Sequence, residues 1–153
     1  NMFHIQYNKM ENQIVSYDTA LLAKEKGFNI PVIQYYTPKK YCTESDDYMT
    51  ERYVESDWNN GYGSYPTLPE KVSCSAPIQS LLQKWLREKH NLYTNAVPCE
   101  FPPETIFYVP QLINLKGGDE LLKLVDNPLD MEEDYSFEQG LEISLQEALK
   151  RIK

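Results

Sequence analysis

The stretch from Cys74 to Asn91 constrains the fold more than any other part of this chain. Pro77 suits the first turn of a helix, where its missing N–H leaves no hydrogen bond unmade. The apolar residues that follow have helical spacing and form one stripe: Ile78, Leu81, Leu82, Trp85 and Leu86. The pattern predicts a single amphipathic helix over this stretch, with Ser75 or Ala76 at its N-cap.

Other local signals predict two more main helices and several strands. Ser16 can cap a helix over residues 17–26 that ends at Gly27. Ser136, with Gln139 three residues later, forms the capping box of a terminal helix. Alternating and β-branched runs predict strands at residues 3–7, 30–36, 48–54, 92–97 and 105–109, and a short helix is expected at 119–125.

These elements indicate an α+β protein. We expect one small, mainly antiparallel sheet that packs against the three main helices as a single pair of layers. The last two strands are expected to pair across a long connection that contains Pro98, Pro102 and Pro103. A length of 153 residues fits one domain. Within it, residues 37–73 are expected to form a long tyrosine-rich excursion and residues 126–135 an acidic connector.

The charge distribution bears on the choice of partners. The net charge is −8, and residues 119–153 hold 10 acidic against 4 basic residues. Such a field repels phosphate groups, so we expect neither nucleic acid nor a membrane as a partner. No apolar run approaches the ~20 residues of a membrane helix. The first residues lack the order of a signal peptide, so we expect a cytoplasmic protein.

Aromatic residues give the strongest functional signal. Eight tyrosines and tryptophans fall within residues 35–65, where Lys39, Lys40 and Arg52 stand against six acidic residues. This balance lacks the basic groove that stacking on single-stranded nucleic acid requires. Packing over a sheet explains the rings as well as a protein interface does, and sugar stacking remains a further alternative. The candidate interaction surface consists of Tyr48, Tyr53, Trp58, Tyr62 and Tyr65.

Catalytic and metal-binding patterns are weak. The cysteines Cys42, Cys74 and Cys99 are far apart, which indicates neither a zinc site nor a disulfide framework. The one enzymatic hypothesis combines Cys74 or Cys99 with His90 as a thiol–imidazole pair. The loop that begins at Asp57 lacks the glycine and carboxylate of a calcium loop, since Tyr62 and Leu68 occupy those positions. We assign no catalytic, cofactor-binding or metal-binding residue and expect no cofactor.

Three blocks of the sequence resemble short phage- and prophage-type proteins of gut bacteria. They are residues 19–28, which read TALLAKEKGF, residues 74–91, which read CSAPIQSLLQKWLREKHN, and residues 136–152. The resemblance covers 45 of 153 residues and implies an origin in phage or mobile DNA, but it brings no known activity.

These observations favour a non-enzymatic accessory protein that binds a host or phage protein. The first alternative is an acidic decoy that imitates nucleic acid and occupies a DNA-binding protein, because the C-terminal third is strongly acidic. The second alternative is the small enzyme that would use Cys74 or Cys99 with His90.

Overall fold

A computed structural model describes residues 13–39, 48–61, 72–101, 105–115, 120–123 and 134–153. The chain divides into two compact units, Asn1–Ile78 and Gln79–Lys153. The described helices are α1 (Tyr17–Glu25), α2 (Gln79–His90) and α3 (Phe137–Arg151). The described strands are β1 (Val32–Pro38), β2 (Tyr48–Ser56), β3 (Cys74–Ser75), β4 (Leu92–Phe101), β5 (Thr105–Asn114) and β6 (Glu120–Lys123). The predicted strand at residues 3–7 lies outside the described residues.

The first unit is built on an antiparallel sheet with the strand order β2-β1-β3. Helix α1 begins as predicted, because the side chain of Ser16 accepts a hydrogen bond from the backbone N–H of Thr19. It ends before Gly27, whose φ of 86° lies in the left-handed region that glycine tolerates. Phe28 then donates its N–H back to the carbonyl of Ala23 and is fully buried. The chain thereby turns from α1 towards β1.

The second unit has its own antiparallel sheet, with the strand order β4-β5-β6. Helix α3 contacts β4 and β5, and α2 contacts β4 and α3. The contact is close at Gly140, because a Cβ atom there would lie 3.2 Å from the Cβ of Ala96 and 3.3 Å from the carbonyl of Tyr108. The helix also carries both halves of the predicted capping box, formed by Ser136 and Gln139.

Three local predictions are wrong. The predicted N-cap at Ser75 or Ala76 is not found, because Cys74 and Ser75 form strand β3 and pair with Tyr36 and Tyr35 of β1. Helix α2 therefore begins only at Gln79. Residues 120–123 form strand β6 instead of a helix, since the edge of β5 offers them backbone partners from Gln111 to Asn114.

The third correction concerns the hairpin of β4 and β5. Pro98 lies inside β4, opposite Tyr108, and not in the connection. Proline is tolerated there because β4 is an edge strand, whose outward positions need no N–H donor. Only residues 102–104 connect the two strands, so the connection is short.

The α+β class, the antiparallel pairing and the three helices are confirmed. The strands that the structure describes fall into two three-stranded sheets instead of one. The chain divides into two compact units, and this division does not test whether they form one domain. The single domain therefore stays a prediction.

Candidate protein-binding surface

The hairpin of β1 and β2 carries most of the described aromatic segment. Its antiparallel register runs from Pro38 opposite Tyr48 to Val32 opposite Ser56. Between Val32 and Gln34 the register shifts, because two residues of β1 span the same length as four residues of β2, from Arg52 to Ser56. The two extra residues make β2 irregular here, and such irregularities commonly redirect side chains at sheet edges.

Trp58 packs at the end of the hairpin where β1 begins and β2 ends. Its side chain is 2% exposed, and its indole Nε1–H donates a 2.7 Å hydrogen bond to the carbonyl of Val32. The indole also lies 4.8 Å from the buried ring of Tyr35 and 6.1 Å from the ring of Tyr53. A buried indole with its N–H satisfied is a rigid support, so the rings above it are held in place.

The side-chain amide of Asn59 links the turn after β2 to the backbone of two other segments. Its Nδ2 donates to the carbonyl of Phe28 at 2.8 Å, and its Oδ1 accepts from the backbone N–H of Ser75 at 2.9 Å. Asp57 stabilises the turn itself, because its carboxylate accepts from the backbone of Asn59 and the side chain of Asn60. The loop is therefore a hydrogen-bonded turn that fixes the hairpin.

A second aromatic group lies between the hairpin and α1. The ring of Tyr17 stacks on that of Tyr48 at 3.7 Å and meets that of Tyr36 edge-on at 5.4 Å. The hydroxyl of Tyr17 hydrogen-bonds Ser73, while that of Tyr36 donates to the carbonyl of Val15 at 2.7 Å. Burial raises the pKa of Tyr17 to about 12. These contacts fix one face of the hairpin to the helix.

The far part of β2 is open to solvent on both faces. Five successive residues, 51–55, are exposed, whereas a half-buried strand would expose every second residue. Four large apolar side chains of the hairpin are also exposed, between 39% and 46% each. We call these four residues the hairpin patch: Ile33, Met49, Tyr53 and Val54.

The five residues of the predicted surface fall in different environments. Tyr53 is 41% exposed and belongs to the hairpin patch, and Tyr48 is half-buried against Tyr17. Trp58 is buried and supports the surface without being part of it. Tyr62 and Tyr65 lie outside the described residues. The interaction surface as a whole remains a prediction.

Sequence reasoning missed Ile33, Met49 and Val54, which are aliphatic members of the patch. None of the three is aromatic, so the aromatic pattern of residues 35–65 did not predict them. The signal that was present is the mixed order of residues 51–55, Glu-Arg-Tyr-Val-Glu, in which charged and apolar residues share both faces of the strand. A strand with one buried face separates the two kinds of residue instead.

The proposed thiol–imidazole pair meets two obstacles in the described geometry. Cys74 is fully buried, and burial raises the pKa of its thiol to about 11, which keeps the thiol protonated near neutral pH. His90 ends α2, where its ring meets that of Trp85 edge-on at 4.7 Å. Cys99 lies seven residues after Leu92, the first residue of β4. At ~3.3 Å per residue, this places it about 23 Å along the strand from the end that follows His90.

The described residues contain neither a metal-binding cluster nor a membrane-spanning helix. Among them, no group of three or more histidine, cysteine, aspartate or glutamate residues is placed to hold a metal ion. Within the same ranges, no helix is long and apolar enough to cross a membrane. The acidic decoy remains a prediction, since residues 124–133 of the acidic segment lie outside the described ranges.

Comparison of the chain with protein-family models, with curated proteins and with solved structures gives no match.

Proposed function

We propose that this chain is an accessory protein of phage or mobile-element origin that binds another protein and has no catalytic role of its own. The hairpin patch is the single observation that carries the binding role. The origin is proposed from the resemblance of residues 19–28, 74–91 and 136–152 to phage-type proteins.

The hairpin patch has the properties of a binding surface. Of the four apolar residues, Met49 has a register partner on β1, and the other three lie where the register shifts. Their neighbours in the sequence of β2 are charged: Glu51, Arg52 and Glu55. Apolar side chains with a polar rim are typical of protein interfaces. Removal of these side chains from water favours association.

Tyr53 is suited to be the anchor of the patch. Its ring rests edge-on near the buried indole of Trp58, so that few conformations are lost when a partner covers it. Tyrosine is enriched among the residues that dominate binding energy, because it combines a large apolar ring with a polar tip. The hairpin thus offers a partly preorganised contact.

Affinity capture tests the proposal. The tagged full-length chain is used to capture proteins from a lysate of the organism that encodes it, at low and moderate salt, after nuclease treatment. The test variant is M49Q/V54T, which removes apolar character from the patch with little change in side-chain size. We expect it to lower recovery of the partner about tenfold, because loss of a few central contacts weakens an interface that strongly.

A matched control is I106T. Ile106 is the most exposed large apolar side chain in the described residues, at 64%, and it lies on β5 of the second unit. We expect this variant to capture the partner as the wild type does. Equal losses in I106T and M49Q/V54T, or an unchanged recovery in both, would contradict the role of the hairpin patch. A basic partner that is lost at moderate salt would instead support the decoy.

A further inference from the structure

Strand β2 has an open edge in the described structure. The strand order β2-β1-β3 places it at the border of its sheet, and no described strand pairs with its outer side. An edge strand presents backbone N–H and C=O groups that can pair with another extended chain. With nine residues, β2 is long for an edge strand and spans about 30 Å at ~3.3 Å per residue.

The charges of β2 determine which strand can pair with this edge. Glu51 pairs with Tyr35 of β1 and Arg52 with Gln34, so the two charges point to opposite faces of the sheet. Neither forms an ion pair within the described part of the chain. Residues directly opposite each other on neighbouring strands interact on one face, where opposite charges stabilise the pair and like charges destabilise it.

A second copy of β2 fits the edge poorly in the three symmetric registers with the longest overlap. Symmetric antiparallel pairing over the whole strand is centred on Arg52 and sets that residue opposite its own copy. A shift of the centre to Glu51 sets Glu51 against Glu51, and a shift to Tyr53 sets Glu51 against Glu55. Each of these registers brings like charges together, and this destabilises the pairing. The charges of β2 therefore oppose self-association in the three registers with the longest overlap.

We propose that the edge of β2 binds an extended segment of a different protein, which adds to the sheet as an antiparallel strand. This inference rests on the proposed function and specifies the partner class. The segment carries an acidic residue opposite Arg52, a basic residue opposite Glu51, and apolar residues opposite Tyr53 and Met49. From its N-terminus to its C-terminus, the segment therefore has an apolar, an acidic and a basic residue, then threonine or a similar residue opposite Thr50, and then a second apolar residue. Backbone hydrogen bonds supply the pairing, and the charge order selects the sequence.

Two synthetic peptides of equal composition test the charge order. The first has the core valine, glutamate, lysine, threonine, valine, and the second has the glutamate and lysine exchanged. Both are titrated into the full-length chain labelled with ¹⁵N, and the amide shifts of residues 48–56 are followed. We expect the first peptide to bind about tenfold more tightly, because two favourable cross-strand pairs replace two unfavourable ones.

The charge-exchange variant E51K/R52E is the decisive control. It keeps the net charge and changes only exposed side chains, and we expect it to prefer the second peptide by a similar factor. Equal binding of both peptides, an unchanged preference in the variant, or shifts outside β2 would overturn the inference. An absence of binding would also overturn it, because another segment of the chain or a second copy would then occupy the edge. Analytical sedimentation at rising protein concentration would identify a second copy.

The two proposals fail separately. If M49Q/V54T loses the captured partner while neither peptide binds, the hairpin patch binds protein without strand addition. If recovery of the partner is equal in the wild type, M49Q/V54T and I106T, the proposed function fails, whatever the peptides do.

Discussion

Strands β2 and β5 have nearly the same length, nine and ten residues, but very different surroundings. Strand β5 lies between β4 and β6 and contacts α3, and it buries Phe107, Val109 and Leu112 at 8% exposure or less. Strand β2 borders its sheet and exposes every residue from 51 to 55. The difference shows that strand length does not determine whether a strand is part of the core; the elements that cover it do.

This contrast has energetic consequences for substitution and for binding. A side chain on β5 is already removed from water, so its apolar area contributes to the free energy of folding. A side chain on the open part of β2 keeps most of its area in water, and that area is available to stabilise a complex instead. The same chemical change is therefore expected to alter folding in one strand and binding in the other.

The largest expected effect comes from the helix that covers β4 and β5. Leu145 of α3 is fully buried, and Leu145→Ala would remove its packing and leave a cavity. We expect the free energy of unfolding to fall by about 2–5 kcal/mol, as measured by urea titration followed by circular dichroism.

The matched change on the exposed hairpin is Met49→Ala, which also truncates a long apolar side chain. Met49 is 40% exposed, so the loss is expected to stay below about 1 kcal/mol. Similar losses in the two variants would mean that the hairpin patch is covered in solution, and the comparison of the strands would fail.

A smaller effect is expected from the opposite edge of the first sheet, where β3 is buried. Burial raises the pKa of the Cys74 thiol from 9.0 to about 11. Above pH 9 the unfolded chain therefore releases this proton while the folded chain retains it, and the stability falls as the pH rises. Well below pH 9 the thiol is protonated in both states, and its contribution does not change.

The expected loss is about 2 kcal/mol between pH 9 and pH 11, since one pKa unit corresponds to ~1.4 kcal/mol. Urea titrations at intervals of half a pH unit give the slope. The Cys74→Ala variant shifts the whole curve but is expected to lose the slope between pH 9 and pH 10. Tyr17 contributes above its ordinary value of 10.0, because its pKa is raised to about 12. An equal slope in wild type and variant below pH 10 would exclude Cys74 as its source.

Local signals in the sequence predicted much of the fold but little of the candidate surface. The caps at Ser16 and Ser136 were predictable because their hydrogen bonds span three residues. Strand β6 was not, since its structure depends on pairing with β5 from outside the segment. The burial of Trp58 depends in the same way on Val32 and Tyr35, which lie more than twenty residues away. Exposure is set by such distant contacts, and the mixed order of residues 51–55 was the one local signal for the aliphatic members of the hairpin patch.

The smallest effect is expected for Val54→Thr, and this variant compares the two strands most directly. The change replaces a methyl group by a hydroxyl while the β-branched shape is kept. Val109 on β5 is 8% exposed, and Val54 on β2 is 39% exposed. At position 109 the hydroxyl enters a buried site, so we expect a loss of about 1–3 kcal/mol. At position 54 it remains in contact with water, and the expected change is within about 0.5 kcal/mol. Both values come from urea titrations of the two single variants under the same conditions.

A loss above 1 kcal/mol for Val54→Thr would show that this side chain is packed against part of the chain in solution, which would remove Val54 from the hairpin patch. A small change at position 54 together with weaker partner capture by M49Q/V54T would separate the binding role of β2 from the folding role of β5.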